Sequence, residues 1–358
     1  MEHEGKLVST WEMMHKDADS NAVITELHKY EYDSVPVDER QFLSQAPPTI
    51  INSYEIAPRR SKDLLLADIP DIHYGLRRLP DGTLLPTHRP EVMDGFLQVM
   101  KDKQPNLIII GGDSLDLPEI SKYDADSRHF VDTLQLSIDG LHNYLSMLRA
   151  DNPNAEIVAL GGNHDEVRFN KFMIRNAMPL FGVKPANMPE SFAVNSFPFL
   201  LRLEELGIDW VSGYPANSYK INDRLQTVHG EFANKTSTAA MYIARYAIST
   251  MFHHDHRRGY ERRVFPDGKA LEAFSFGCQA DVTGSVPSTH NGVDAMGYPT
   301  TKYEQWDNGG GFVEYRKGDS PFRIHSVPIE AQDGYETKFN GKLYKPRPEV
   351  IEALRNGK

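Results

Sequence analysis

Five short clusters along this chain concentrate residue types that bind divalent metals. They are Asp71-Ile72-His73-Tyr74-Gly75, Gly112-Asp113-Ser114-Leu115-Asp116, Gly162-Asn163-His164-Asp165-Glu166, His229-Gly230 and His253-His254-Asp255-His256. Each is weak alone, because an aspartate or asparagine after a strand more often caps a helix or forms a turn than ligates. Together they supply enough carboxylate, amide and imidazole groups for two ions, with one histidine to spare. Asp71 and His73 stand two apart, where a bend could turn both side chains to one ion. Asp113 offers a short carboxylate able to bridge two ions, Asn163 a neutral oxygen, and His229, His254 and His256 imidazoles. A mixed nitrogen and oxygen set suits manganese, iron, nickel, cobalt or zinc better than calcium or magnesium. Asp68 rivals Asp71 and His253 rivals its neighbours, although only Asp71 stands two residues before a histidine and four before a glycine.

The elements that must position these clusters are legible from residue 63 onward. Leu64–Ala67, Asn106–Ile110, Ala155–Leu160, Leu225–Val228 and Ser249–Phe252 are short, largely apolar runs of the kind buried strands show. Each delivers one cluster just beyond its carboxyl end, where ligands gather in alternating strand–helix proteins. Helical spacing recurs over Thr87–Lys103, Phe130–Leu148 and Thr236–Ala247. Arg262–Phe265, Ala270–Phe276, Gly311–Tyr315 and Phe322–Ile329 read as antiparallel strands separated by turn residues. Thr283–Asn308 reads as a long surface loop, within which Thr289-His290-Asn291 is a candidate substrate contact. Residues 1–60 differ: Trp11, Met14, Ala18, Ala22, Ile24, Leu27 and Tyr30 suggest short amphipathic helices, followed by a proline-rich loop near 45–50. The expected organisation is an N-terminal accessory segment over 1–60, a catalytic domain over 61–335 and a C-terminal tail over 336–358.

Composition narrows the options. The chain has 358 residues, 40% of them hydrophobic and 25% charged, within the range of water-soluble globular proteins. No apolar run approaches the length of a membrane span, so no membrane partner is expected. The single cysteine, Cys278, excludes an internal disulfide and a multi-thiolate zinc site. The polar N-terminus lacks the apolar stretch of a signal peptide, and the expected location is cytoplasmic. A formal charge of −11 argues against non-specific coating of nucleic acid. Arg257 and Arg258, directly behind the last histidine cluster, are the tentative contacts for an anionic substrate. Ser114 has no triad context, and the glycines before Asp113 lack the lysine of a nucleotide-binding loop.

The order and content of the five clusters resemble the calcineurin-like metallophosphoesterase superfamily, including small microbial and bacteriophage-type phosphoesterases. Its motifs run Asp-x-His, Gly-Asp-x-x-Asp, Gly-Asn-His-Asp/Glu, His and Gly-His-x-His, and the match extends over about residues 63–330. This chain departs at His253, which stands where the superfamily has glycine. The resemblance implies a four-layer α/β/β/α sandwich, here with an N-terminal helical extension. It implies one ion held by Asp71, His73 and His256, a second by Asn163, His229 and His254, and Asp113 bridging, with manganese favoured. His164 would contact the substrate phosphate and assist the leaving group, while Asp116 and Asp165 would orient imidazoles. The expected activity is hydrolysis of a phosphoester by a metal-bridging hydroxide. A phosphodiester of DNA or nucleotide type is favoured; a phosphomonoesterase acting on phosphoprotein or nucleotide, or a silent interaction platform, is the alternative.

Overall fold

The computed structural model describes residues 6–16, 22–31, 62–79, 81–120, 132–234, 237–282 and 305–357. The chain divides into two units, Met1–Ser44 and Gln45–Lys358. In the first, the expected helices are replaced by two antiparallel strands, β1 (Lys6–Lys16) and β2 (Ala22–Glu31), with Trp11 opposite Leu27 and Met14 opposite Ile24. Val8, Thr10, Val23, Ile24 and Thr25 are β-branched, a type that favours strands, and that composition outweighs the loose helical spacing. The first unit ends short of the boundary expected at residue 60. The proline-rich loop at 45–50 lies outside the described residues.

The second unit begins with β3 (Leu64–Ile69), a small hairpin of β4 (Leu76–Arg78) and β5 (Leu84–Pro86), α1 (Pro90–Lys103) and β6 (Leu107–Ile110). It continues through α2 (Thr133–Asp151), β7 (Glu156–Leu160), α3 (Phe169–Ala177), α4 (Phe197–Leu200), β8 (Ile208–Val211) and β9 (Tyr219–Lys220). β10 (Leu225–Val228), α5 (Thr238–Arg245), β11 (Ser249–Phe252), β12 (Arg258–Val264), β13 (Ala270–Phe276), β14 (Gly309–Tyr315) and β15 (Arg323–Pro328) follow. One sheet runs β15-β14-β3-β6-β7-β8, and β3, β6, β7 and β8 within it are parallel. The other runs β12-β13-β11-β10-β9, with β10, β11 and β13 parallel.

Strand alternation explains why these sheets stack. Side chains of successive strand residues point to opposite faces. Leu107 and Ile109 therefore enter a core shared with Met251, Phe274 and Phe276 of the other sheet. Ile108 and Ile110 point the other way, into a core built with Val92, Phe96, Leu141 and Leu145 of α1 and α2. The outer face of the second sheet packs Val228, Phe252 and Ala273 against Tyr242 and Ile243 of α5. The result is the expected four layers, helix, sheet, sheet and helix. α1 starts with Pro90 at its first position, where a missing N–H costs nothing, and ends with Gln104 in a left-handed turn.

The C-terminal tail carries secondary structure of its own over Thr337–Arg355. β16 (Thr337–Phe339) and β17 (Lys342–Tyr344) pair as a hairpin, and α6 (Pro348–Arg355) packs on α1 and α2. Val350 and Leu354, one turn apart, give α6 an apolar stripe, and Leu354 is fully buried. Its carbonyl accepts a 2.6 Å hydrogen bond from the Tyr74 hydroxyl, just behind the first cluster. Most of the expected loop over 283–308, with Thr289-His290-Asn291, lies outside the described residues. Among the described residues no helix is long and apolar enough to cross a membrane.

Candidate metal centre

The clusters follow the carboxyl ends of β3, β6 and β7 in one sheet and of β10 and β11 in the other. The stacked sheets thereby bring distant residues into three overlapping groups, Asp71–His73–Asp113–His256, Asp113–His229–His254 and His73–Asp116–His164, the ligand atoms of each lying within 4.8 Å of one another. Asp113 belongs to the first two. Its Oδ2 is 3.5 Å from His229 Nε2 and 3.9 Å from His73 Nε2, while its Oδ1 accepts the backbone N–H of His164 at 2.8 Å. Asn163 joins the second group, with Oδ1 3.2 Å from His229 Nε2.

Backbone geometry marks the same residues. His73, Asp113, His254 and His256 adopt φ of 50°, 47°, 75° and 58°, a region that side chains with a Cβ occupy at a cost. Two glycines make room for the cluster. A Cβ on Gly162 would stand 2.1 Å from Asp113 Oδ1, and one on Gly111 2.3 Å from the His253 ring.

Hydrogen bonds fix which ring nitrogens are open. His73 Nδ1 donates to Asp116 Oδ1 at 3.0 Å, and His229 Nδ1 donates to the Gly111 carbonyl at 2.8 Å. In each ring the Nε2 lone pair then points into the cluster. His73 Nε2 lies 3.0 Å from His256 Nε2, a separation at which lone pairs repel unless a proton or cation lies between them. His254 Nδ1 and Asp116 Oδ2 are buried without a hydrogen-bond partner among the described residues. Open imidazole nitrogens, a shared carboxylate and an orphaned buried nitrogen fit a pair of cations.

The electrostatics divide the ligand imidazoles. Burial opposes charge on His229 and His73, but Asp113 raises His229 to about 9 and Asp116 raises His73, so without a cation the carboxylates favour protons on these two rings. Burial opposes ionisation of Asp71, but the surrounding histidines, His256 foremost, lower its carboxyl to about 2. Asp113 is likewise held low against burial by His164 and His229. Burial lowers His254 to about 4 and also lowers His256, leaving both as neutral imidazoles of the kind that ligates.

His253 is excluded from this set. Its Nδ1 meets the Val228 carbonyl and its Nε2 meets Asp68 Oδ1, both at 2.9 Å. Burial would lower its pKa, yet the Asp68 carboxylate raises it. With both nitrogens engaged, the ring ties the two sheets together. The same contact removes Asp68 as a rival to Asp71.

Not every expected role falls where the sequence put it. Asp116 faces imidazoles, His73 and also His164 at 3.4 Å. Asp165 does not; its carboxylate accepts the backbone N–H of Ser114 and Leu115 at 3.1 and 3.3 Å, stapling two ligand-bearing turns. Arg257 donates through Nε to the Gln305 carbonyl, its Nη1 having no partner among the described residues, and Arg258 pairs with Asp307 and Glu330. The guanidinium that does meet the cluster is Arg168. It stands one turn after His164 on the π-helical turn Asn163–Arg168, and its Nη2 lies 2.9 Å from His164 Nε2. The i,i+4 spacing from His164 is the signal that could have found it.

Four layers with this cluster between the strand ends define the metallophosphoesterase class of fold. The chain belongs to the calcineurin-like phosphoesterase family, whose model matches residues 66–308; the family is one of metal-dependent phosphoester hydrolases. Among solved structures, the crystal structure of a 5'-nucleotidase precursor from Thermus thermophilus is similar at 12% identity and a TM-score of 0.33. That alignment covers 82% of this chain, and the chain spans 57% of the other. No curated protein sequence matches this one.

Proposed function

We propose that the protein hydrolyses a phosphoester at two divalent ions held by Asp71, His73, Asp113, Asn163, His229, His254 and His256. Manganese is the favoured ion and a phosphodiester of nucleotide or DNA type the favoured substrate. The observation that carries the reading is the shared Asp113 carboxylate between two groups of open imidazoles. Ions bound there would supply a water-derived nucleophile at neutral pH and neutralise phosphate charge.

The chain's own residues shape the rest. His164 Nδ1 donates to the Asp116 carbonyl at 2.8 Å and its Nε2 accepts from Arg168 Nη2 at 2.9 Å. These bonds fix the ring as a neutral imidazole that holds the guanidinium on the substrate side. Burial, with Arg168 adding to it, lowers the His164 pKa to about 3. The Arg168 guanidinium, anchored on the Asp116 carbonyl, is placed to hold a phosphate oxygen beside that nitrogen.

The test is hydrolysis of bis-(p-nitrophenyl) phosphate and p-nitrophenyl phosphate by Mn²⁺-loaded protein and after chelation. Turnover that needs the metal and favours the diester is expected. Faster turnover of the monoester would overturn the diester preference, and no turnover of either by folded, metal-loaded protein would leave an interaction platform.

A further inference from the structure

We infer that the Tyr214 ring forms a subsite beside the metal-ligand cluster for a planar ring, aryl or nucleobase, carried by the ester arm of the substrate. This rests on the phosphoester reading above and adds what the substrate bears beyond its phosphate.

Tyr214 lies in the loop after β8, and the loop is built onto the ligand-bearing turn. The Glu166 carboxylate accepts the backbone N–H of Gly213 at 2.9 and 3.1 Å and that of Tyr214 at 2.9 Å. The Asn217 amide donates to the carbonyls of Gly161 and Val211 at 2.7 and 3.2 Å. Glu166 also fills the space above Gly161, where a Cβ would stand 2.2 Å from its Oε1. Gly161 and Glu166 bracket Asn163 and His164, so the loop and the turn are held as one piece.

The Tyr214 ring comes to rest with its centroid 5.6 Å from that of His229, inclined at 62°. It is half-buried, and its hydroxyl has no hydrogen-bond partner among the described residues. The residue keeps part of its surface open, beside the group that joins His229 to Asp113 and Asn163. An ester arm leaving the cluster on the His229 side meets it. A tyrosine face attracts planar rings through dispersion and its quadrupole and offers an alkyl arm much less. Glu166 acts through Tyr214 as a positioning residue.

The experiment is titration calorimetry of Mn²⁺-loaded full-length protein with phenylphosphonate and methylphosphonate, which share a head group and differ in the arm. Wild type should bind the phenyl compound about tenfold more tightly, the usual scale for one ring-on-aromatic contact. Tyr214→Ala should bring phenylphosphonate to the methylphosphonate level, leaving methylphosphonate affinity, metal content and Tm unchanged. Tyr214→Trp should restore the preference. A preference that survives in Tyr214→Ala would overturn the inference. So would equal weakening of both ligands, which would mean that the ring merely shields His229. Failure of loaded wild type to bind either phosphonate while it turns over bis-(p-nitrophenyl) phosphate would overturn the inference, whereas failure of both binding and turnover would sink the phosphoester reading beneath it.

Discussion

At the residue scale, Asp113 and His164 carry separable roles although they touch. The Asp113 carboxylate faces both ligand groups, whereas His164 donates its backbone N–H to that carboxylate and holds its ring Nε2 3.9 Å from it, beside Arg168. Asp113→Asn keeps the shape but removes the charge between two clusters of imidazoles. It should therefore cost both ions and not one, as read by elemental analysis after gel filtration. Two ions retained at full occupancy would contradict the bridging role. His164→Ala should keep both ions and lower kcat by roughly a hundredfold, the scale of losing one fixed transition-state donor, because the neutral ring holds the Arg168 guanidinium in place. A variant that also lost metal would mean that the ring holds the cluster together instead of serving the substrate side.

At the scale of elements, His253 shows how a departure from a motif can be resolved by packing. It follows β11, its Nδ1 meets the end of β10, and its Nε2 meets Asp68 on β3 in the opposite sheet. His253→Ala would strand a buried carboxylate, and breaking such pairs typically costs about 3–5 kcal/mol. Denaturant unfolding should show a loss of that order, and adding Asp68→Ala should recover part of it, since the two sites share one interaction. Full additivity would rule the pair out as a joint between sheets. The sequence alone left open whether His253 ligates, because spacing says nothing about what lies above a glycine such as Gly111. The parallel strands were legible from their apolar runs, and the ligand residues from their places beyond the strand ends. β8 was not, since Asp209 interrupts its apolar run and Tyr214 follows it in a loop with no motif. The strands β1 and β2 were misread as helices because apolar residues spaced three or four apart fit both patterns when β-branching is ignored. Arg257 and Arg258 looked like substrate contacts because they adjoin His256 in sequence. Their actual partners, Gln305, Asp307 and Glu330, are distant in the chain.

For the catalytic unit as a whole, the metal centre should act as a clasp between the two sheets. Asp71, His73, Asp113 and Asn163 come from the ends of one sheet, and His229, His254 and His256 from the ends of the other. In the unfolded chain these seven side chains are scattered over nearly two hundred positions, so ions bind the folded form far better. Ligand binding of that kind stabilises by mass action, about 2.7 kcal/mol at a hundred times the dissociation constant. For a domain of this size that corresponds to a rise in Tm of about 4 °C. Differential scanning calorimetry with EDTA and with excess Mn²⁺ should show this rise in wild type and lose it in Asp113→Asn. The left-handed backbone at His73, Asp113, His254 and His256 adds a reason for the effect, because strain held at four ligand positions is offset only when their side chains have something to bind. A Tm in wild type indifferent to Mn²⁺, or a rise retained in full by Asp113→Asn, would mean that the ions sit elsewhere and that the convergence of the two sheet edges serves another purpose.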